Sequence, residues 1–169
     1  MTDPDPTFDP QSHSMADRQR WFEDFEIGER FVLPSRTMTD AIFLAFQAAS
    51  GDNHPIHYNR DYCRSRGLDG MLAHGYQVAI QTVAGAGMFP FMVEDSLKAF
   101  LEQSSRFLHP VIEGDTLYPA LEVDELTPGN TTGVVGFRST VHNQDRILVL
   151  EGRHRYLLRK SPANKGIDV

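Results

Sequence analysis

Gly75-Tyr76-Gln77-Val78-Ala79-Ile80-Gln81-Thr82-Val83-Ala84-Gly85-Ala86-Gly87-Met88 is the stretch on which the reading of this chain turns. Its residues are small or apolar nearly all the way round, interrupted by Gln77, Gln81 and Thr82. A helix that is apolar on most faces needs cover on most faces. The pattern therefore predicts a long buried helix, ended by Phe89-Pro90. Downstream the hydrophobic period shortens from helical to strand-like. Residues 100–110, 116–126, 131–143 and 146–159 read as strands, with turns at Gly114-Asp115, Pro128-Gly129-Asn130 and Asn143-Gln144-Asp145. Four strands in succession suggest an antiparallel meander. A buried helix against such a sheet is an α+β layer arrangement, with the sheet curled around the helix.

Upstream, the segment from Trp21 to Met38 carries a turn at Ile27-Gly28-Glu29 and a strand-like Arg30-Phe31-Val32-Leu33. Thr39-Asp40 reads as a helix start. Ile42, Phe43, Phe46 and Ala49 follow helical spacing, and Gly51 stops the run. Asn59 is placed to cap a short helix from Arg60 to Arg66, which Gly67 ends. Residues 1–18, rich in Pro and Asp, read as a disordered leader. Residues 161–169 read as a tail, leaving one domain over 19–160. The leader lacks the basic start and apolar core of a signal peptide.

Composition narrows the classes. The chain has 169 residues, 40% hydrophobic and 23% charged, which suits one globular domain. Its net charge of −7 argues against binding nucleic acid or an anionic membrane, since both favour a basic surface. No apolar run approaches the roughly 20 residues of a membrane helix. Cys63 is the only cysteine, so no intrachain disulfide can form, and a cytoplasmic location fits. Cys63 itself reads as a small core residue.

The chemistry concentrates in Ser50-Gly51-Asp52-Asn53-His54-Pro55-Ile56-His57 and in Ala73-His74-Gly75 at the head of the apolar stretch. A carboxylate and an imidazole share a loop stiffened by Pro55. Asp52, normally ionised, can take a proton from water; His57, near neutrality, can give or take one. The Gly75 N–H, at a helix start, can face a developing oxyanion. Read alone, Asp52 is as readily an Asx-turn residue, His57 a satisfied loop histidine and Gly75 a packing glycine. His54 reads as a brace of the loop and His74 as the residue that orients the helix start. Asp52, His54 and His57 lack a further ligand motif, so no metal is expected. Arg64, Arg66 and Arg106 are candidates for phosphate contacts, although solvated arginine is the plainer reading of each.

These residues resemble a known family, the MaoC-like dehydratases of the hotdog fold, which include R-specific enoyl-CoA hydratases. The resemblance covers roughly residues 20–160. The family motif runs Asp, any residue, Asn, Pro, Ile or Leu, His. It is followed by an Ala- or Val-His-Gly-Met step into the central helix. Asp52, Pro55, Ile56 and His57 match the first part, and Ala73, His74 and Gly75 match the second. Residues 106–111 with 114–117 look like the family's later strand-turn-strand signature. His54 stands where the family has Asn, and Tyr76 where Met is frequent. A small hydroxyl residue used two turns into the helix falls at Val83. Thr82 is one position off, about 100° around the helix.

The resemblance implies a hotdog sheet around a long central helix, and reversible addition of water to a 2-enoyl-CoA. It implies Asp52, His57 and Gly75 as catalytic residues, with His54, Pro55, His74 and Tyr76 around the substrate. It further implies an acyl-CoA or acyl-carrier thioester as substrate, no cofactor besides that thioester, no metal, and a role in cytoplasmic fatty acid metabolism. A homodimer or higher homo-oligomer is implied too. The rival readings are a hotdog acyl-CoA thioesterase and a non-catalytic acyl-thioester-binding module.

Overall fold

Alternation along the strands builds the sheet. In β4 (Thr116–Pro128), Leu117, Pro119, Leu121 and Val123 are buried, while Tyr118, Glu122 and Asp124 are exposed. β5 (Thr132–His142) buries Val135, Phe137, Ser139 and Val141. β6 (Leu148–Arg159) buries Leu150, His154, Tyr156 and Leu158. Period-two burial of this kind gives a sheet with one packed face. The computed structural model describes residues 15–162; the remainder of the expected leader and tail lies outside the described residues.

With β1 (Arg30–Val32) and β3 (Leu97–Phe107), the strand order is β1-β4-β5-β6-β3, and the short β2 (Arg36–Thr37) also pairs with β4. All the pairings are antiparallel. β4, β5 and β6 form the expected meander, but β3 does not precede β4 in it: β3 pairs with β6 at the far edge. The cause is the connection over residues 108–115, which is no hairpin. The Leu108 N–H binds the Val149 carbonyl, the Ala73 N–H binds the Val111 carbonyl, and Leu72 bridges Ile112. Gly114, at φ 96°, then turns the chain into β4.

The long buried helix is replaced by a broken one. α3 spans only Gly75–Ala79. A 3-10 turn follows at Ile80–Thr82; Val83 is extended at φ −60°, ψ 125°; a second 3-10 turn covers Ala84–Ala86. Phe89-Pro90 opens α4 (Phe89–Met92) instead of ending a helix, since proline is tolerated in a first turn. Two properties of the sequence account for the break. Gly85 and Gly87 are poor helix formers, and the Thr82 hydroxyl donates to the Ala79 carbonyl at 2.8 Å, competing with the helical ladder. Burial is also one-sided. Gln77, Val78, Gln81, Thr82 and Ala84 are buried, whereas Tyr76, Ile80, Val83 and Met88 are exposed.

Two apolar clusters flank this segment. One gathers Phe22, Phe25, Phe89, Phe137 and Tyr156 around the break and α4. The other gathers Met38, Phe43, Cys63, Val78 and Leu150 at the head of α3. That second cluster fixes α1 (Asp40–Ser50) and α2 (Arg60–Ser65) against α3. α1 ends where Gly51 adopts φ 72°, and the Asn59 side chain accepts the Tyr62 N–H at 2.9 Å to start α2. No helix among the described residues is long and apolar enough to cross a membrane.

Candidate active site

The left-handed turn at Gly51 releases Asp52 from α1 into the loop. Its Oδ1 accepts the His54 N–H at 2.9 Å, an Asx turn, and its Oδ2 lies 3.1 Å from His74 Nε2. The turn and the ring contact coexist on the two oxygens of one carboxylate. Pro55 opens a 3-10 turn over Pro55–His57, and His54 Nδ1 accepts the Ile56 N–H at 3.3 Å. His54 is therefore built into the loop backbone as a brace. The Leu72 N–H binds the Ile56 carbonyl, which joins this loop to the one leading into α3.

The hydrogen-bond partners assign the ring protons. His57 Nδ1 lies 2.7 Å from the Leu72 carbonyl, which can only accept. Nδ1 therefore carries the hydrogen, and Nε2 of the neutral ring keeps a lone pair. His74 is the opposite case. Its Nδ1 accepts the Tyr76 N–H at 3.0 Å, so its Nε2 carries the hydrogen and donates to Asp52. The His54 N–H holds the Asp52 carboxyl below the usual carboxylate range. Partial desolvation opposes this, and the neighbouring His57, His74 and His54 rings add to it. Asp52 is thus an anchored anion, and His57 offers the free basic nitrogen beside it.

His57 and His74 stand with ring centroids 5.1 Å apart, and Phe46 packs on His74 at 5.2 Å. Tyr76 also stacks on His74, at 5.7 Å, with its own ring exposed. Asp52, His57 and His74 bring ligand-type atoms within 4.8 Å of one another, so it is His74 rather than His54 that stands with Asp52 and His57. The set does not suit a divalent cation in this arrangement. His74 Nε2 carries a hydrogen as long as Nδ1 caps α3, which leaves two lone-pair donors where a zinc site uses three or four.

Gly75 is the first residue of α3, and its N–H meets no acceptor among the described residues. A Cβ at this position would stand 3.1 Å from Phe107 Cζ, so both the packing and the donor reading of Gly75 have a structural basis. Four contributors were not picked out by sequence: Phe46, the Leu72 carbonyl, Phe107 and Gln77. Gln77 is buried; its Oε1 accepts the His74 N–H at 3.3 Å and its Nε2 donates to the Ile42 carbonyl at 3.1 Å. A glutamine interrupting an apolar stretch was the available signal. Of the arginines, Arg64 pairs with Asp61 at 2.7 Å and Arg66 lies over the Tyr62 ring at 5.0 Å. Arg106 makes no ion pair among the described residues and adjoins Phe107.

Known proteins resemble this chain in sequence and fold. An (R)-specific enoyl-CoA hydratase of Rhodospirillum rubrum is 28% identical over 136 residues, which are 78% of this chain and 87% of that one. The chain spans only 29% of the longer protein MaoC of Klebsiella aerogenes, to which it is 28% identical over 103 residues. Among solved structures, a monoamine oxidase regulatory protein from Archaeoglobus superposes with a TM-score of 0.80 at 29% identity, covering 88% of this chain and 99% of that one. A double-hotdog protein of Mycobacterium tuberculosis superposes with a TM-score of 0.71 at 27% identity, covering 88% of this chain and 47% of that one. The fold is thus the hotdog fold. The family model for the MaoC like domain matches residues 24–144, well over half of the sequence, and the chain belongs to that family.

Proposed function

We propose that the chain is a hydro-lyase that reversibly adds water to a 2-enoyl thioester, giving the 3-hydroxyacyl thioester. The observation that carries this reading is the pairing of an ionised Asp52 with a lone pair on His57 Nε2, beside a helix start whose first N–H is free. Water held between the two groups donates one hydrogen to Asp52 as a hydrogen bond and loses the other to His57 Nε2. Its oxygen bonds C3 as the C2–C3 π pair moves to C2 and the thioester oxygen. The Gly75 N–H meets the charge on that oxygen. The imidazolium then returns its proton to C2, and His57 regains its lone pair.

His74 positions Asp52 and need not ionise. His54 and Pro55 hold the loop, and Tyr76 flanks the substrate side of His74. These steps call for no metal and no redox cofactor. The name of the hydratase relative supports a CoA thioester as substrate; a cytoplasmic role in fatty acid metabolism and a homodimer belong to the same proposal.

The test is to follow crotonyl-CoA with the wild-type protein in two assays. Loss of the conjugated enoyl absorbance without release of free thiol is the expected result. Release of thiol would make the chain a thioesterase, and neither signal across a panel of enoyl thioesters would make it a binding module.

A further inference from the structure

Beyond the site, the break at Val83 leaves an apolar cleft of about 440 Å³ between the helical segment and the sheet. Tyr76, which stacks on His74, forms its near wall; Val83, Phe89 and Phe100 line its length; His154 and Tyr156 form its buried floor. The distance from Gly75 to Thr82, where the floor meets the helix, is roughly 12 Å: four α-helical steps and three 3-10 steps.

The floor holds an imidazole that the proposed chemistry does not use. His154 is 2% exposed. Its Nε2 lies 3.1 Å from Thr82 Oγ1 and its Nδ1 lies 3.3 Å from the Tyr156 hydroxyl. The direction of this chain is forced. Thr82 donates its hydrogen to the Ala79 carbonyl, so it accepts from Nε2–H; Nδ1 then accepts from Tyr156. Every hydrogen on these three side-chain groups is engaged. Burial moves His154 down to about 4 and Tyr156 up to about 12, so both are neutral. Phe100, the other ring against His154, adds no charge.

We infer that His154 is a specificity-determining residue of this chain: bonded to Thr82 and Tyr156, it fixes the helix break over the sheet and closes the deep end of a cleft that selects thioesters with long, apolar, uncharged acyl tails. The inference rests on the hydratase reading of the Asp52–His57 site. The cleft adjoins that site at Tyr76, which lines the cleft and stacks on His74. A crotonyl group is too short to reach His154. A tail ending in a carboxylate would meet no cation among the lining residues: Gln103, opposite His154 on β3, is a neutral amide whose Nε2 donates to Ser105.

The experiment compares kcat/KM for crotonyl-CoA, octenoyl-CoA and an octenoyl-CoA with a terminal carboxylate. The wild type prefers octenoyl-CoA to each of the others by about tenfold or more, the scale on which apolar pockets discriminate. Val83→Phe, which fills the cleft, and Thr82→Val, which removes the acceptor of His154, each lower the octenoyl-to-crotonyl ratio by about tenfold. Thr82→Ser and His154→Gln are the companion variants. Thr82→Ser retains the ratio, which a general loss of packing would not allow; His154→Gln lowers it. Equal use of all three substrates, or the same ratio in wild type, Val83→Phe and Thr82→Val, overturns the inference. Calorimetric binding of octanoyl-CoA against acetyl-CoA separates the two readings. If no enoyl thioester is hydrated but octanoyl-CoA binds more tightly in a Val83-dependent way, the hydratase reading fails and the cleft assignment stands. If crotonyl-CoA is hydrated and tail length has no effect on binding or rate, the cleft assignment fails alone.

Discussion

At Gly75 two demands meet on one residue. Its N–H is free to serve a thioester oxygen, and its missing side chain lets the Phe107 ring close on the backbone. Proline separates them. Position 75 is the first of α3, where proline is tolerated, and His74 before it already sits at φ −64°, ψ 142°, which suits a residue preceding proline. In a Phe107→Leu background, which makes room for a ring, Gly75→Pro deletes the N–H while Gly75→Ala keeps it. Gly75→Pro is expected to lower kcat by about 10²–10³-fold and Gly75→Ala far less. Equal rates for the two, measured with crotonyl-CoA, would leave Gly75 as a packing residue. Asp52 and His57 could be singled out from sequence because their spacing and Pro55 are local. The pairing of His74 with Asp52 could not, because it joins residues on two loops that only the tertiary fold brings together. Phe107 arrives from β3 and was equally hidden.

At the scale of elements, the helices around the site are held by few polar ties, and Gln77 is one of them. It links the head of α3 to the Ile42 carbonyl of α1. Gln77→Ala leaves that carbonyl and the His74 N–H without their partner. The expected cost is about 1–3 kcal/mol in chemical denaturation, with reduced turnover as His74 loosens from Asp52. A stability change near zero would show that water or a neighbour replaces the glutamine. The long strands were legible because period-two burial is written directly in β4, β5 and β6. α1 and its stop at Gly51 were legible from cap chemistry. The break at Val83 was not, because Ala84, Gly85 and Ala86 read as apolar helix while their small side chains supply little reason to stay helical. The pairing of β3 with β6 was hidden for another reason: it depends on where residues 108–115 find hydrogen-bond partners.

Across the whole molecule, the buried His154 sets a pH dependence of stability. Burial holds the ring at about 4 in the folded state against 6.5 when free. Between those values the unfolded chain binds more protons than the folded one, so stability rises with pH across the window and is lost as pH falls through it. The full loss, reached below about pH 4, is of order 3 kcal/mol. His154→Gln is expected to flatten this slope in urea midpoints measured between about pH 7 and pH 5. An unchanged slope would show that His154 takes up its proton without opening the fold. The same view exposes Tyr76, Ile80 and Val83 on the helical segment, and Phe100, Leu101 and Phe107 on the edge strand β3. The proposed homodimer would cover this apolar face, and it would close the open side of the cleft.

The most direct measurement of the central claim is the rate of enoyl-CoA hydration by Asp52→Asn and His57→Ala, each checked for wild-type folding by circular dichroism. Loss of the anion or of the lone pair on Nε2 is expected to cut kcat by about 10²–10⁴-fold in each variant, with the fold retained. Turnover near the wild-type rate in either folded variant would contradict the shared-water mechanism, whatever the fold.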